Sequence, residues 1–208
     1  MIRTYSSRAG RLSDTNKGYL ELASKCLVEL GYVPKSAKPC ALDIGFGDAQ
    51  SFSEDVLANQ DIIFIGVEPY KKGFARAVEF YEKHLPKNLY LYNGCAIEYL
   101  KAAKQKFNFI RIHFPDPWPK KKHTKRRLIS KEFLALLHKK IVKQGQVQIV
   151  TDSAIYQDHI EEVIKAQNRL VLVDTSFPIS YKVSTFHNKG LKKGHTIKEY
   201  NLAINWYE

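Results

Sequence analysis

Apolar residues fall along this chain in short runs of strand length, separated by longer stretches with helical spacing. The runs are Ala41–Ile44, Ile62–Val67, Leu89–Tyr92, Phe107–His113 and Gln146–Val150. Between them, Phe52–Asn59, Lys71–His84, Ile97–Lys104 and Ile129–Val142 read as helices with one buried face. An earlier stretch, Lys17–Leu30, carries Leu20, Leu22, Ala23, Cys26, Leu27 and Leu30 at helical intervals, with Gly31 and Pro34 to stop it. Strands alternating with helices require right-handed crossovers, hence a mostly parallel sheet covered on both faces: a doubly wound α/β domain. The tail has a different rhythm. Tyr156–Ala166 reads as a helix, Leu170–Asp174 as a strand, and Tyr200–Trp206 as a last strand beyond a polar, lysine-rich loop in which no helix is expected. Two closing strands joined that way suggest an antiparallel edge. No repeat or linker divides residues 16–208, which read as a single domain behind a polar, arginine-bearing arm over residues 1–15, expected to be mobile.

Composition agrees with a globular enzyme-sized domain: 208 residues, 44% hydrophobic and 26% charged. Three cysteines, Cys26, Cys40 and Cys95, with no Cys-x-x-Cys spacing, offer neither a disulfide framework nor a zinc site, so no metal is expected. Wholly apolar runs are too short for a membrane span, and no apolar stretch follows Arg3 and Arg8 as a signal peptide requires; a cytoplasmic protein is expected. Charge narrows the partners. Thirty-three Lys and Arg against 21 Asp and Glu leave a net charge of +12, a balance suited to polyanions, nucleic acid first among them. The cations cluster at Lys120, Lys121, Lys122, Lys125, Arg126 and Arg127, and again at Lys189, Lys192 and Lys193.

Ligands of a doubly wound sheet bind beyond the carboxyl ends of its strands. After the first strand comes Asp43-Ile44-Gly45-Phe46-Gly47, whose glycines allow a tight turn close to a ligand. Gln50 stands where a dinucleotide fingerprint has its third glycine. Glu68 closes the second strand, where a carboxylate can accept both hydroxyls of a ribose. Together these point to an adenosine-containing ligand; an ordinary βα turn and an acid favoured by the following helix dipole are the plainer alternatives. The fourth strand runs into Phe114-Pro115-Asp116-Pro117-Trp118-Pro119-Lys120-Lys121-Lys122-His123-Thr124-Lys125-Arg126-Arg127-Leu128. Two prolines restrict the backbone around Asp116 and so aim its carboxylate, Trp118 offers a face for a base, and the cations offer phosphate contacts.

That segment closely resembles the signature of the bacterial tRNA (guanine-N7)-methyltransferases. Arg8-Ala9-Gly10-Arg11 resembles the family's N-terminal arm, Asp43–Gly47 its cofactor loop, Ile65-Gly66-Val67-Glu68 its ribose-binding strand and Thr151-Asp152 its substrate acid. The resemblance implies a class I methyltransferase fold, with a seven-stranded, mostly parallel sheet whose last strand is antiparallel. It also implies S-adenosylmethionine as cofactor and N7 of a guanine in the tRNA variable loop as methyl acceptor. Carried over by position, it makes Asp116 the catalytic carboxylate and Asp43, Gly45, Phe46, Gly47, Glu68, Pro69, Cys95 and Ala96 the cofactor contacts. Lys120, Asp152, Ser184 and His187 become substrate contacts, with Lys121, Lys122, Lys125, Arg126 and Arg127 forming a tRNA patch. The chain departs from the family pattern at three places. Cys95-Ala96 replaces an Asp-Ala pair, Ser184-Thr185-Phe186-His187 replaces Thr-Lys-Phe-Glu, and Asp43 stands where glutamate is common. Ser184 can supply the threonine's hydroxyl, whereas His187 cannot supply an anion.

The chemistry is compatible with so few groups. Guanine N7 has a lone pair and no proton, so in-line attack on a sulfonium methyl needs positioning rather than a base. A preorganised carboxylate stabilises the positive charge the purine acquires, or holds the base by its N–H groups. Two alternatives share the fold: an NAD-dependent oxidoreductase, which leaves the basic segment unexplained, and a catalytically weakened tRNA-binding paralogue, which explains Cys95 and His187 together.

Overall fold

A computed structural model of the chain describes residues 4, 5, 11–179 and 183–205. Most of the arm motif, Arg8-Ala9-Gly10, and the end of the last expected strand, Trp206, lie outside them. The strands are β1 (Cys40–Ile44), β2 (Ile63–Val67), β3 (Leu89–Tyr92), β4 (Phe107–His113), β5 (Ile141–Thr151), β6 (Leu170–Leu172) and β7 (Lys198–Ile204). The helices are α1 (Asp14–Glu21), α2 (Gln50–Ala58), α3 (Lys71–His84), α4 (Ala96–Ala102), α5 (Lys131–Lys140), α6 (Ala154–Lys165) and α7 (Thr185–Lys192).

One sheet runs in the order β3-β2-β1-β4-β5-β7-β6. Its first five members pair in parallel, and β7 inserts antiparallel between β5 and β6. β1 and β2 are buried along their whole length, as the near-continuous apolar runs require of strands covered on both faces. Phe52, Val56, Phe74 and Val78 from α2 and α3 cover one face, while Tyr99, Leu134, Leu137 and Ile160 from α4, α5 and α6 cover the other. The strand order reverses between β1 and β4, so the loops leaving their carboxyl ends diverge and open a crevice there.

Three expectations are corrected. The expected helix over Lys17–Leu30 is shorter and starts earlier: Ser13 caps α1 by accepting from the Asn16 amide, and the backbone turns extended at Leu22. Residues 26–28 instead lie along β3, with Leu91 N–H donating to Cys26 O at 2.7 Å and Val28 N–H to Leu91 O at 3.0 Å. An open strand edge with unpaired backbone groups outweighs a marginal helical period. The loop expected before the last strand contains α7, whose N-cap Ser184 accepts from the His187 amide at 3.2 Å. Its lysines face solvent, so it lacks the apolar stripe that marks a helix in sequence. β5 begins at Ile141, inside the expected fifth helix, and the β4–β5 register shifts between Phe107 and Phe109.

Candidate active site

At the reversal point lies a cavity of about 440 Å³. The loop after β1 forms its floor with Gly45 and Gly47 at φ 74° and 64°, a left-handed conformation that costs glycine little. Behind the loop, Phe46 stacks on Phe52 with ring centroids 4.8 Å apart. Gly66 makes that stack possible, because a Cβ there would lie 2.7 Å from Phe46 and 2.8 Å from Phe52. Glu68 is buried at the end of β2 and grips the loop: one carboxylate oxygen accepts from Gly47 N–H and the other from Tyr70 N–H, both at 2.7 Å. Burial pushes its carboxyl up to about 7 despite those donors, with Asp43 and Asp116 adding negative charge nearby. The walls include Asp43, Asp48, Glu68 and Asp116 as carboxylates, Pro69, Ala96 and Ser184, and the aromatic rings of Tyr70, Phe114 and Phe186.

Asp43 is both wall and anchor. Arg111, directly opposite on β4, donates to it through Nε at 3.0 Å and through a second guanidinium nitrogen, while its remaining terminal nitrogen reaches Asp55 of α2 at 2.6 Å. These side chains are almost wholly buried, so water solvates both acids poorly and one guanidinium bonds each of them. The Gly45–Gly47 loop is thereby held at both flanks, the end of β1 and the body of α2. The polar row continues across the sheet, since Asp43, Arg111, Gln148 and Asn201 occupy directly paired positions on four adjacent strands. Gln148 donates to Glu199 at 2.8 Å and meets His113 Nε2 at 2.7 Å. A carboxylate only accepts, which turns the Gln148 carbonyl toward His113 and puts the histidine's proton on Nε2. Burial, with Arg111 next, pushes the His113 imidazole down to about 4, so it is neutral at physiological pH.

Asp116 lines the cavity from the loop after β4. That loop is held in a strained shape: Phe114 and Trp118, both bulky, have φ of 50° and 44°. Phe114 N–H donates to Val150 O at 2.7 Å, and Arg127 Nε donates to Pro117 O at 2.9 Å. Arg127 is therefore corrected as a member of the tRNA patch. It is buried, turned inward and placed over the Tyr156 ring, where it holds the Asp116 loop. Trp118 is likewise no open platform, because the Arg126 guanidinium lies 3.5 Å from its ring centre, His123 meets it edge-on, and its indole N–H donates to Thr4 O at 3.0 Å. Arg126 also reaches Tyr5 O at 3.4 Å. Lys120, Lys121, Lys122 and Lys125 remain exposed on and beside a 3-10 turn over Lys121–Arg126. Cys95 caps α4 without a side-chain bond, and of that pair only Ala96 lines the cavity. Asp152 and His187 lie outside it, with His187 edge-on to Phe114.

The methyltransferase family model described as "Putative methyltransferase" matches residues 37–200. A tRNA (guanine-N(7)-)-methyltransferase of Wolbachia pipientis wMel is 36% identical over 83% of this chain and 78% of its own length. The chain belongs to the tRNA (guanine-N7)-methyltransferase family. A relative of the same description from Nitrosomonas europaea is 31% identical over 95% of this chain and 94% of its own. Among solved structures, a 16S rRNA (adenine(1408)-N(1))-methyltransferase from Catenulisporales acidiphilia superposes with a TM-score of 0.56 at 13% identity, over 82% of this chain and 86% of that one. An rRNA methylase from Streptococcus thermophilus gives 0.53 at 8% identity, over 81% and 87%. These two show the fold: that of a class I methyltransferase. Family membership sets aside the oxidoreductase reading, which Gln50 already disfavoured.

Family motifs located Glu68, Asp116 and the glycine loop within one cavity. They missed Arg111, Asp55 and His113. One signal was available: an arginine in the middle of the apolar run Phe107–His113 has to be paired if that run is buried.

Proposed function

We propose that this protein transfers a methyl group from S-adenosylmethionine to N7 of a guanine in tRNA, acting in the cytoplasm. The observation that carries the reading is the placement of Asp116 on the wall of the cavity that Glu68 and the Gly45–Gly47 turn also line. The cavity fits the cofactor chemically, because its lining offers a sulfonium, an ammonium and two ribose hydroxyls the carboxylates of Asp43, Asp48, Glu68 and Asp116, and offers a base the rings of Tyr70, Phe114 and Phe186. When bound, the cofactor supplies an electrophilic methyl.

Everything else falls to the chain. Glu68 accepts the ribose hydroxyls while the amides of Gly47 and Tyr70 hold its carboxylate in place. Ala96 borders the cavity where the base of the cofactor would lie. Asp116 accepts from the guanine's N–H groups or faces the positive charge that grows on the purine; either role needs a fixed carboxylate, which the strained loop and Arg127 provide. Ser184 lines the cavity on the guanine side, Asp152 meets the tRNA outside it, and Lys120, Lys121, Lys122 and Lys125 face the tRNA phosphates.

Single-turnover methylation of unmodified tRNA at saturating cofactor and tRNA tests the reading, with the modified base mapped. Asp116→Asn keeps size and one acceptor oxygen but removes charge, and is expected to slow methyl transfer by about 100- to 1,000-fold, the usual cost of one lost electrostatic contact in a preorganised site. Wild-type protein that binds tRNA yet leaves N7 unmethylated would instead make this chain a binding paralogue.

A further inference from the structure

Asp152 follows β5 at the carboxyl edge of the sheet, and α7 packs directly against it. Gly190 makes the approach possible, since a Cβ there would lie 3.0 Å from both Cβ and Oδ2 of Asp152. Just past the helix, Gly194 takes φ 73° and turns the chain back, so that His195 N–H donates to Gly190 O at 3.1 Å. That turn brings the imidazole onto the acid: His195 Nδ1 lies 2.9 Å from Asp152 Oδ2. Because a carboxylate accepts only, Nδ1 carries the proton whether the ring is neutral or charged. The opposite end of the same helix reaches the other acid's loop, with Phe186 stacked on Phe114 at 6.3 Å and His187 edge-on to it.

We propose that His195 is a positioning residue for substrate recognition: it binds Oδ2 of Asp152 and so presents Oδ1 to a donor group of the tRNA. The inference rests on the reading of Asp152 as a substrate contact. A carboxylate on a strand end has free rotation about its last bond, and a second oxygen committed to a fixed donor removes that freedom before substrate arrives. Stability is not the purpose of the pair. The side chains of His195 and Asp152 are 43% and 30% exposed, a setting in which an ion pair contributes little to folding.

The test uses the full chain and an unmodified tRNA transcript, with kcat/KM for tRNA, KM for S-adenosylmethionine and Tm measured on His195→Ala, His195→Asn, Asp152→Ala and the Asp152→Ala/His195→Ala double variant. His195→Ala is expected to lower kcat/KM for tRNA by about 3- to 30-fold, a coupling of the size seen between contacting residues, with the cofactor's KM and Tm unchanged. His195→Asn, whose side-chain N–H can stand where Nδ1–H stood, is expected to recover most of it. The double variant should equal Asp152→Ala alone. An unaltered kcat/KM in His195→Ala beside an impaired Asp152→Ala overturns the positioning role while leaving Asp152 a substrate contact. Losses that multiply in the double variant overturn it too, since the histidine would then touch tRNA on its own. A silent Asp152→Ala removes the substrate reading of Asp152, and this inference falls with it.

Discussion

Replacing Arg111 by methionine keeps roughly the volume of the side chain and deletes its charge, taking from Asp43 and Asp55 the buried cation that both of them bond. The guanidinium is 1% exposed and the two carboxylates 6% and 3%, so what remains is poorly solvated. Removing one partner of a buried pair costs about 3–5 kcal/mol. For a chain of this length, about 2–4 °C of Tm accompanies each kcal/mol, so thermal unfolding at pH 7.5 is expected to fall by about 6–20 °C. A proton relieves a buried carboxylate that has lost its cation, so the deficit relative to wild type should narrow on acidification toward pH 5. Arg111→Lys restores a charge but not a planar fork that serves two acids, and should recover only part. Because the clamp holds both flanks of the Gly45–Gly47 loop, S-adenosylmethionine affinity by calorimetry should drop in step with stability. An Arg111→Met protein within about 2 °C of wild type, or a deficit independent of pH, would refute the argument that one cation neutralises both acids.

Glu68 gives a pH signature of its own. Its folded-state carboxyl is raised to about 7, above the unfolded value near 4.5, so the contribution of its protonated form to stability is complete below pH 4.5 and lost as pH rises through 7. Ribose hydroxyls need the ionised form, hence cofactor affinity should increase between pH 6 and pH 8 with proton release. Glu68→Gln should weaken binding by about 1.5–3 kcal/mol and flatten that profile, and a pH-dependent affinity surviving in the Gln variant would place the titration elsewhere. On the exposed 3-10 turn, Lys121, Lys122 and Lys125 replaced together by Ala should reduce the slope of log K for tRNA against log salt by about 0.7–0.9 per lost contact. Arg127→Ala should behave oppositely, leaving that slope intact while lowering Tm, because its guanidinium is engaged with Pro117 and Tyr156 rather than solvent.

The alternation of apolar runs and helical stretches determined the layered architecture, since buried parallel strands leave no other way to satisfy both faces of a sheet. The segment 114–128 determined the family, because that order of prolines, acid, indole and cations is specific residue by residue. Local pattern erred where a distant partner decided the outcome. Cys26 and Leu27 have helical spacing but pair with the open edge of β3, and α7 has no apolar stripe but is held by its Ser184 cap and its contact with Asp152. The site divides in the same way. Glu68 and Asp116 could be named from motifs, each being the acid at the end of its own strand. Arg111 bridging Asp43 to Asp55, Arg127 turning inward and His195 meeting Asp152 join residues 10 to 68 positions apart. Charge in a sequence is only an inventory; which cation faces solvent and which is committed to a buried acid or carbonyl follows from burial, and burial exists only once the strands have been set side by side.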